Sequence, residues 1–459
     1  MSHSSKGPEL KWYERKSKKN FSADQNNEEE KNKKSSAKKI NTQIQNDRFK
    51  QVKSQTLKSS LPLENYLFNT KKIPSDALEV LAQFDKIISS TRPLTSKQRS
   101  LLPKQINDLS HLLTDKRSSR HLTYMNSNST VTAYVYYYMW WNLVRLVKLF
   151  SNLPDEAFDL KDNCVCLDLG SGPLTVVLAL FLARPELRSK KLTWYCMDLS
   201  QVSMSCGEEI FLTVCARFEC EPWKIIRVKG ELGTPLKEKV DFITCANMFN
   251  EVSQEAKITP EELAKKSRDK LLSYFDKNFY ESKKSYPRIF IVEPGVPSTA
   301  RFISSLRAAF IRKNFIPLSP CPHALECPMA GLKNTRLGKT GKWCNFSFTT
   351  EDAPSSLKKL SLASNLPKER AVLSFFFAKY SENKTTENYL DANKKIEVRI
   401  TSDAIYLEGN RHGYYACSSK GLLLLETKMQ MHSGQLYKIP FDEKNTQVDE
   451  KSGALLVKI

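Results

Sequence analysis

The chain has 459 residues, which is enough for two or three domains with a sizeable hydrophobic core. Its formal net charge of +21 and its sequence pI of about 9.3 indicate an anionic partner such as RNA, DNA or an anionic membrane surface. No apolar run approaches the roughly 20 residues that span a bilayer, and no apolar signal core stands near the start, so membrane insertion and export are not expected. The eleven cysteines are therefore interpreted as reduced thiols, core residues or metal ligands.

Residues 1–60 are basic and polar, with 15 Lys or Arg against 7 Asp or Glu. This composition predicts a disordered tail, which either only keeps the protein soluble or lies along RNA phosphates. The acidic cluster Glu28–Glu30 is unlike a mitochondrial presequence, because presequences are poor in acidic residues.

Residues 61–158 are expected to form a helical domain, because apolar residues recur at helical spacing over 75–88, 107–125 and 130–150. The last of these stretches, TVTAYVYYYMWWNLVRLVKLF, is strongly apolar and aromatic. Its aromatic side chains are expected to pack against the following domain, with base stacking as the alternative.

Beyond residue 159, short apolar runs alternate with helical patterns. Strand-like runs open the segment 164–183 and recur at 192–200, 223–231, 240–252 and 288–295. Such alternation predicts an α/β domain with a parallel, doubly wound sheet over residues 159–385. Its ligand is expected outside the carboxyl ends of the strands, at the point where the strand order reverses.

The turn after the first strand reads Asp168-Leu-Gly170-Ser171-Gly172-Pro. Its glycines allow close approach of the main chain to a ligand, and the helix behind them offers free N–H groups. The turn lacks the Gly-x-Gly-x-x-Gly fingerprint of dinucleotide sites. It resembles the first motif of class I methyltransferases, which bind S-adenosylmethionine, and this resemblance implies that Asp168 holds the turn and the methionine end of that ligand.

Two further residues extend the predicted donor site. Asp198 ends the second strand, where a carboxylate can accept hydrogen bonds from both ribose hydroxyls. Asn247 lies at the end of the fourth strand, within CANMFNEV, a segment that lacks the paired prolines typical of base-amine methylation. No catalytic residue is therefore assigned, and Glu293 at the end of the fifth strand is interpreted as either a structural or an active-site acid. The alternative is a Rossmann-like scaffold without the cofactor.

Three cysteines, Cys321, Cys327 and Cys344, fall in a segment with little hydrophobic periodicity, predicted as an insertion over 318–346 before the last two strands of the sheet. The candidates for a fourth ligand are His323 and Cys417. Four thiolates suit an iron–sulfur cluster, since thiolates are its usual ligands and proline follows cysteine in ferredoxin-type sites. Zinc bound by four cysteines, or by three cysteines and a histidine, is equally admissible. Cysteines without a metal are the third option.

Several segments resemble the mitochondrial small-ribosomal-subunit methyltransferase-like proteins and their bacterial relatives. They are LDLGSGP, VEPGVP, CPHALECP followed by WCNF, and ACSSKG, and the resemblance covers roughly 120–425. It implies a class I S-adenosylmethionine-dependent methyltransferase (Rossmann-like) fold and binding to the small ribosomal subunit during its maturation. It also implies a [4Fe–4S] cluster, with Cys321, Cys327, Cys344 and Cys417 matching its four ligands and His323 as a neighbour.

Short alternating strands over residues 386–459 predict a small C-terminal β extension that covers the sheet edge. Because Cys417 lies in this extension, a bound cluster would join it to the main domain.

The chain is accordingly predicted to be an rRNA-binding assembly factor of the small ribosomal subunit, which binds S-adenosylmethionine and a structural [4Fe–4S] cluster. The alternatives are an active S-adenosylmethionine-dependent rRNA methyltransferase and a zinc-stabilised RNA-binding module without a donor site. A monomer without membrane association is expected. The acidic N-terminal cluster favours the cytoplasm, and the mitochondrial matrix is the alternative.

Overall fold

The computed structural model describes residues 61–114, 124–250, 258–276, 286–331, 341–382, 395–443 and 446–459, together with the main chain of 333–334 and 339–340. The predicted basic tail, residues 1–60, lies outside the described residues, as does Glu251 of the segment after the fourth strand.

The secondary structure alternates as the sequence indicates. The strands are β1 (Leu63–Tyr66), β2 (Val165–Leu169), β3 (Thr193–Asp198), β4 (Lys224–Lys229), β5 (Phe242–Ala246), β6 (Arg288–Pro294), β7 (Phe315–Ser319), β8 (Lys333–Asn334), β9 (Lys339–Thr340), β10 (Phe346–Thr349), β11 (Arg370–Tyr380), β12 (Lys395–Ile400), β13 (Ile405–Leu407), β14 (Arg411–Ser418), β15 (Gly421–Thr427), β16 (Gln435–Pro440), β17 (Gln447–Val448) and β18 (Leu455–Lys458). The α-helices are α1 (Ser75–Ala82), α2 (Phe84–Thr91), α3 (Ser96–Leu113), α4 (Asn128–Ala133), α5 (Trp140–Phe150), α6 (Thr175–Ala183), α7 (Gln201–Arg217), α8 (Pro260–Leu272), α9 (Pro297–Ile311) and α10 (Ser355–Ala363).

The central sheet has the strand order β10-β11-β6-β5-β2-β3-β4, with β7 also paired to β11. Strands β2 to β6 are parallel, and β11 runs antiparallel to β6. The chain enters in the middle of the sheet at β2 and winds first to one side and then to the other, so the order reverses between β2 and β5. This is the strand order of class I methyltransferases, and the predicted fold class is confirmed.

The edge strand beside β11 is interrupted by the cysteine-containing segment. Ser319 of β7 lies opposite Phe377, and Phe346 of β10 lies opposite Leu373, so both short strands pair with β11 along the same edge. The sequence pattern predicts the cysteine segment directly after the helix, with no strand between them, and this prediction is wrong. The reason is that β7 is only five residues long and contains Pro317, which interrupts a strand pattern but is tolerated at a sheet edge.

The N-terminal helices share a hydrophobic core with the central sheet. The ring of Phe150 in α5 lies 4.9 Å from that of Phe290 in β6. The indole N–H groups of Trp140 and Trp141 donate to Leu81 O and Ser361 Oγ. These helices cluster with both sheets in one unit, Leu61–Ile459.

Helix α3 begins earlier than the sequence periodicity indicated. It spans Ser96–Leu113, whereas the periodicity predicts a helical segment over 107–125. A capping box between Thr95 and Gln98 marks its start, and Pro103 lies within it. Thr-x-x-Gln before an apolar repeat was the available signal for this N-terminus.

A second sheet has the order β1-β16-β12-β14-β15-β18-β17, with β13 paired to β14. Strand β1, which precedes all of the helices, pairs antiparallel with β16 near the other end of the chain. The C-terminal strands therefore complete their sheet with a strand from the N-terminal side. Within the described ranges, no helix is long and apolar enough to cross a membrane.

Helix α7 passes close to the turn that follows β2. Gly207 is buried on this helix, and a Cβ added there would overlap the main-chain carbonyl group of Pro173. The turn and the helix therefore pack main chain against main chain, which only glycine permits at this position.

We predict that Gly207→Ala lowers the free energy of unfolding by about 1–3 kcal/mol, because the added methyl group must displace the main chain of the turn. Urea unfolding followed by circular dichroism measures this change. Thr213→Ala, which removes a hydroxyl bonded only within the same helix, is the matched control and should stay within about 0.5 kcal/mol of the wild type. A Gly207→Ala protein as stable as the control would contradict the close packing.

Candidate functional site

A cavity of about 560 Å³ opens at the carboxyl ends of β2, β3 and β5. Its volume is in the range that holds a small-molecule ligand. Glycines of the first turn, polar side chains that follow β3 and β5, and side chains of the N-terminal helices form its wall. The lining residues include Tyr134, Tyr138, Asn142, Arg145, Gly170, Gly172, Asp198, Asn247, Met248 and Asn250.

The two glycines of the turn adopt left-handed main-chain conformations, with φ of +64° at Gly170 and +50° at Gly172. A Cβ at Gly170 would also lie 2.9 Å from Cβ of Met248. Larger residues are strained in this conformation, so glycine keeps the turn close to the segment after β5. Both glycines lie in the cavity wall, where the sequence placed them.

Asp198 lies at the end of β3 with its carboxylate in the cavity wall. Its Oδ2 accepts the N–H of Gly172 at 2.9 Å, and its Oδ1 accepts the N–H of Ser200 at 2.8 Å. Burial raises the pKa of Asp198, and these main-chain donors oppose the rise. Because an ionised carboxylate has about four acceptor positions, Asp198 retains capacity for two further donors.

Asp168 lies beneath the turn and Ser171 within it; both side chains are buried, and neither residue lines the cavity. Asp168 accepts the hydroxyl of Ser171 at 2.7 Å and that of Thr244 at 2.6 Å. Burial raises the pKa of Asp168 to about 7, although both hydroxyl donors lower it. The two residues therefore position the turn, and the structure does not bring them to the ligand side of the cavity.

The segment after β5 is held by residues from two other elements. Asn247 has φ of +60°, and its Oδ1 accepts a guanidinium N–H of Arg145 at 3.2 Å. The buried carboxylate of Glu293 accepts the N–H groups of Phe249 at 2.8 Å and Asn250 at 3.0 Å. Glu293 was considered either as a structural acid or as an active-site acid. These contacts favour the structural role, because the carboxylate positions the main chain of this segment.

Sequence reasoning missed the contribution of the N-terminal helices to the cavity. Tyr134 and Tyr138 lie on a π-helical stretch, Tyr134–Met139, and Asn142 and Arg145 follow on α5. π-helical stretches within helices often occur at functional sites. The available signal was Arg145 itself, one of two charged residues in a largely apolar helix, since charged residues are seldom buried without a partner.

The four predicted metal ligands lie in two different parts of the fold. Cys321, Cys327 and Cys344 are partly buried in the segment between β7 and β10, and Cys417 is buried on β14 of the second sheet. Cys417 Sγ lies 3.4 Å from Nε2 of His323. Burial raises the pKa of Cys344, and the charges of the other three cysteines raise it further, so all four thiols are within electrostatic reach of one another.

Two buried arginines face these cysteines. Arg307 donates its Nε–H to Cys321 Sγ at 3.1 Å, and Arg399 lies directly opposite Cys417 in the pairing of β12 with β14. Among the described residues, however, no group of three or more His, Cys, Asp or Glu side chains is arranged to hold a metal ion. The thiols are therefore neighbours without a formed coordination sphere, although four sulfurs beside two cations fit the chemistry of a thiolate-bound centre.

Comparison with solved structures found low-identity similarities to methyltransferases. A methyltransferase from Geobacter sulfurreducens in complex with S-adenosyl-L-homocysteine is 10% identical, with a TM-score of 0.29 and coverage of 52% of this chain and 90% of that chain. One from Thiobacillus denitrificans, in the same type of complex, is 11% identical, with a TM-score of 0.28 and coverage of 52% and 91%. The ribosomal protein L11 methylase from Lactobacillus delbrueckii subsp. bulgaricus is 13% identical, with a TM-score of 0.25 and coverage of 38% and 70%. A search of curated proteins found no match.

A family model matches more than half of the chain, over residues 165–439. The family is described as "Mitochondrial small ribosomal subunit Rsm22", which agrees with the resemblance seen in the sequence and favours the mitochondrion over the predicted cytoplasm. The matched range includes the glycine turn, Asp198 and all four candidate cysteines. This chain belongs to the Rsm22 family of mitochondrial small-ribosomal-subunit proteins.

Proposed function

We propose that this chain is an assembly factor of the small ribosomal subunit in the mitochondrial matrix, which contacts ribosomal RNA and binds S-adenosylmethionine. Family membership supports the ribosomal role. The net charge of +21 supports contact with RNA, because Lys and Arg bind phosphates. The observation that carries the donor-binding role is the cavity in which Gly170, Gly172 and Asp198 lie together at the carboxyl ends of the strands.

In this proposal, different residues around the cavity contact different parts of the ligand. The Asp198 carboxylate accepts hydrogen bonds from both ribose hydroxyls, in addition to its two main-chain donors. Gly170 and Gly172 let the main chain approach the middle of the ligand, and Tyr134 and Tyr138 supply aromatic wall on the side of the N-terminal helices. When bound, the cofactor would supply an activated methyl group.

The residues after β5 favour donor binding over methyl transfer. Asn247 accepts a hydrogen bond from Arg145, and Glu293 accepts two main-chain N–H groups, so both polar groups are engaged in holding the segment. No catalytic residue is assigned on this basis. Transfer of a labelled methyl group to ribosomal RNA, abolished by Asp198→Ala, would establish the alternative of an active methyltransferase.

We predict that Asp198→Ala weakens S-adenosylmethionine binding at least about tenfold, since hydrogen bonds to charged groups each contribute about 1.5–3 kcal/mol. Isothermal titration calorimetry measures the affinity. Asp162→Ala removes an exposed carboxylate that accepts only a main-chain N–H of Lys191, and this control should bind as the wild type does. Folded wild-type protein that binds no S-adenosylmethionine would refute the donor site.

We also propose that Cys321, Cys327, Cys344 and Cys417 hold a structural [4Fe–4S] cluster, with zinc as the alternative. The mutual electrostatic effect of the four thiols and the two facing arginines support this assignment. Because Cys417 belongs to the second sheet and the other three to the segment between β7 and β10, a bound centre would cross-link the two sheets. The free energy of metal binding would then contribute to folding.

We predict that anaerobically purified protein is brown, absorbs near 400 nm, and contains about four iron and four sulfide per chain. Cys417→Ala should lose the iron and lower the melting temperature, whereas Cys220→Ala, which alters a partly buried thiol away from these four, should keep the iron. Metal and sulfide analysis with thermal unfolding measures both effects. Purified protein that contains zinc but no sulfide would support the zinc alternative. Purified protein that contains no metal and is as stable as its cysteine variants would exclude both the cluster and zinc.

We predict that the full chain co-sediments with purified mitochondrial small ribosomal subunits in a sucrose gradient, and that the bound fraction falls steeply between about 50 and 200 mM salt. The basic segment 1–60 should contribute to this dependence, so a chain lacking it should show a shallower slope. Serum albumin is the control for nonspecific sedimentation. Protein that stays at the top of the gradient at low salt would contradict the ribosomal role.

A further inference from the structure

Two positively charged residues lie one turn apart on α5, and their environments differ. Lys148 is buried and forms an ion pair with Asp352 at 2.5 Å. Arg145 has no ion pair with a carboxylate among the described residues, and its one hydrogen bond goes to the neutral amide of Asn247. Lys148 is therefore paired directly with a carboxylate. Arg145 feels the charge of the buried Glu293 carboxylate without forming an ion pair with it, and it lines the cavity.

The guanidinium of Arg145 retains donors for a further partner. Its Nε atom is inaccessible to solvent and has no hydrogen-bond partner among the described residues. Burial lowers the pKa of Arg145 to about 10, which still leaves it charged at neutral pH. A guanidinium has five N–H donors, and a charge removed from water is stabilised mainly by an anion that accepts several of them.

A second cation acts on the same region. Burial, together with the smaller effect of the charge of Arg145, lowers the pKa of Lys368 to about 8. Nζ of Lys368 lies 5.1 Å from the ring centre of Trp141, the neighbour of Asn142 on α5. Lys368 does not line the cavity, but two like charges within electrostatic reach of each other raise the local potential, so the surroundings of Arg145 favour an anion.

The position of Arg145 relative to Asp198 indicates which anion it is. In the sheet, β2 lies between β3 and β5, so Asp198 and Asn247 stand on opposite sides of the glycine turn. A nucleoside whose ribose is bound by Asp198 extends its amino-acid part across this turn toward Asn247, where Arg145 lies. In S-adenosylmethionine, that part ends in an α-carboxylate.

We infer that Arg145 binds the α-carboxylate of the methionine group through its guanidinium N–H groups, and that it thereby selects donor-type ligands that carry a carboxylate. This inference rests on the proposed binding of S-adenosylmethionine and names the residue that recognises one end of that ligand. Arginine suits the role because its planar fork matches a carboxylate with two parallel hydrogen bonds. Arg145 is a specificity residue here, since it contacts the ligand away from the methyl group.

The test compares S-adenosylmethionine with decarboxylated S-adenosylmethionine, which differs from it only by the loss of the carboxylate. Calorimetry on the full-length wild type should show at least about tenfold tighter binding of the carboxylate form. Arg145→Met should reduce this ratio to within about threefold of one, mainly by weakening the carboxylate form. Asp198→Ala should weaken both ligands and preserve the ratio, because it acts at the ribose.

Lys148→Met is the matched control, since it removes a buried cation from the same helix but outside the cavity, and its ratio should equal that of the wild type. Equal wild-type affinity for the two ligands, or an unchanged ratio in Arg145→Met, would overturn the inference while the donor site stands. Failure of the folded wild type to bind either ligand would instead remove the donor site and this inference with it. If Arg145→Met does not fold, Arg145→Lys serves as the test variant. Loss of the planar guanidinium should lower the ratio of the two affinities, and an unchanged ratio would contradict the proposed role of Arg145.

Discussion

The glycine turn after β2 is held in place by two acids, and the cavity depends on where that turn lies. Beneath it, Asp168 accepts hydroxyl groups from Ser171 and from Thr244 on β5. Beside it, Asp198 on β3 accepts the N–H of Gly172. The turn is thus tied to both neighbours of its own strand. Both acids are largely removed from solvent. These hydrogen bonds therefore offset the free-energy cost of burying the two carboxylates, and they fix one position for the turn.

A comparable constraint holds the cysteine segment. The guanidinium of Arg307 on α9 donates to the carbonyl groups of His323 and Leu325, at 2.6 and 2.8 Å. That of Arg399 on β12 donates to the carbonyl of Pro320 at 3.0 Å. One arginine comes from α9, which packs on the central sheet, and the other comes from the second sheet, so the segment is bound from both sides. The same two side chains face the cysteines, which links the path of the loop to the chemistry proposed for it.

The two proposed ligand sites have a common physical basis. In each, charged groups with few protein counter-charges line a region that main-chain packing has already positioned. Arg145 lines the cavity and Lys368 lies within electrostatic reach of it, and Arg307 and Arg399 lie beside the four thiols. A buried cation is costly unless an anion is supplied. Sites of this kind are therefore expected to bind anionic groups, namely a carboxylate in the first case and thiolates in the second.

Sequence by itself determined the features that depend on short-range periodicity. The alternation of strands and helices, the glycine turn, the acid after β3 and the sheet's last two strands all follow from patterns a few residues long. Gly170, Gly172, Asp198 and Asn247 could be placed together because the carboxyl ends of parallel strands share one edge.

Tertiary structure alone decided the features that depend on partners distant in the chain. Strand β1 joins a sheet formed by strands beyond residue 394, and β7 and β10 pair with the same edge of β11. The carboxylate of Glu293 accepts hydrogen bonds from main-chain N–H groups. The surroundings of Arg145 are of this kind too, since Arg145 and Lys148 are both cations within the same largely apolar helix and have similar local sequence patterns. Only the fold shows that Lys148 forms an ion pair with Asp352 while Arg145 lines the cavity and bonds to Asn247. The reason is that these contacts join residues about one hundred or more positions apart in the chain.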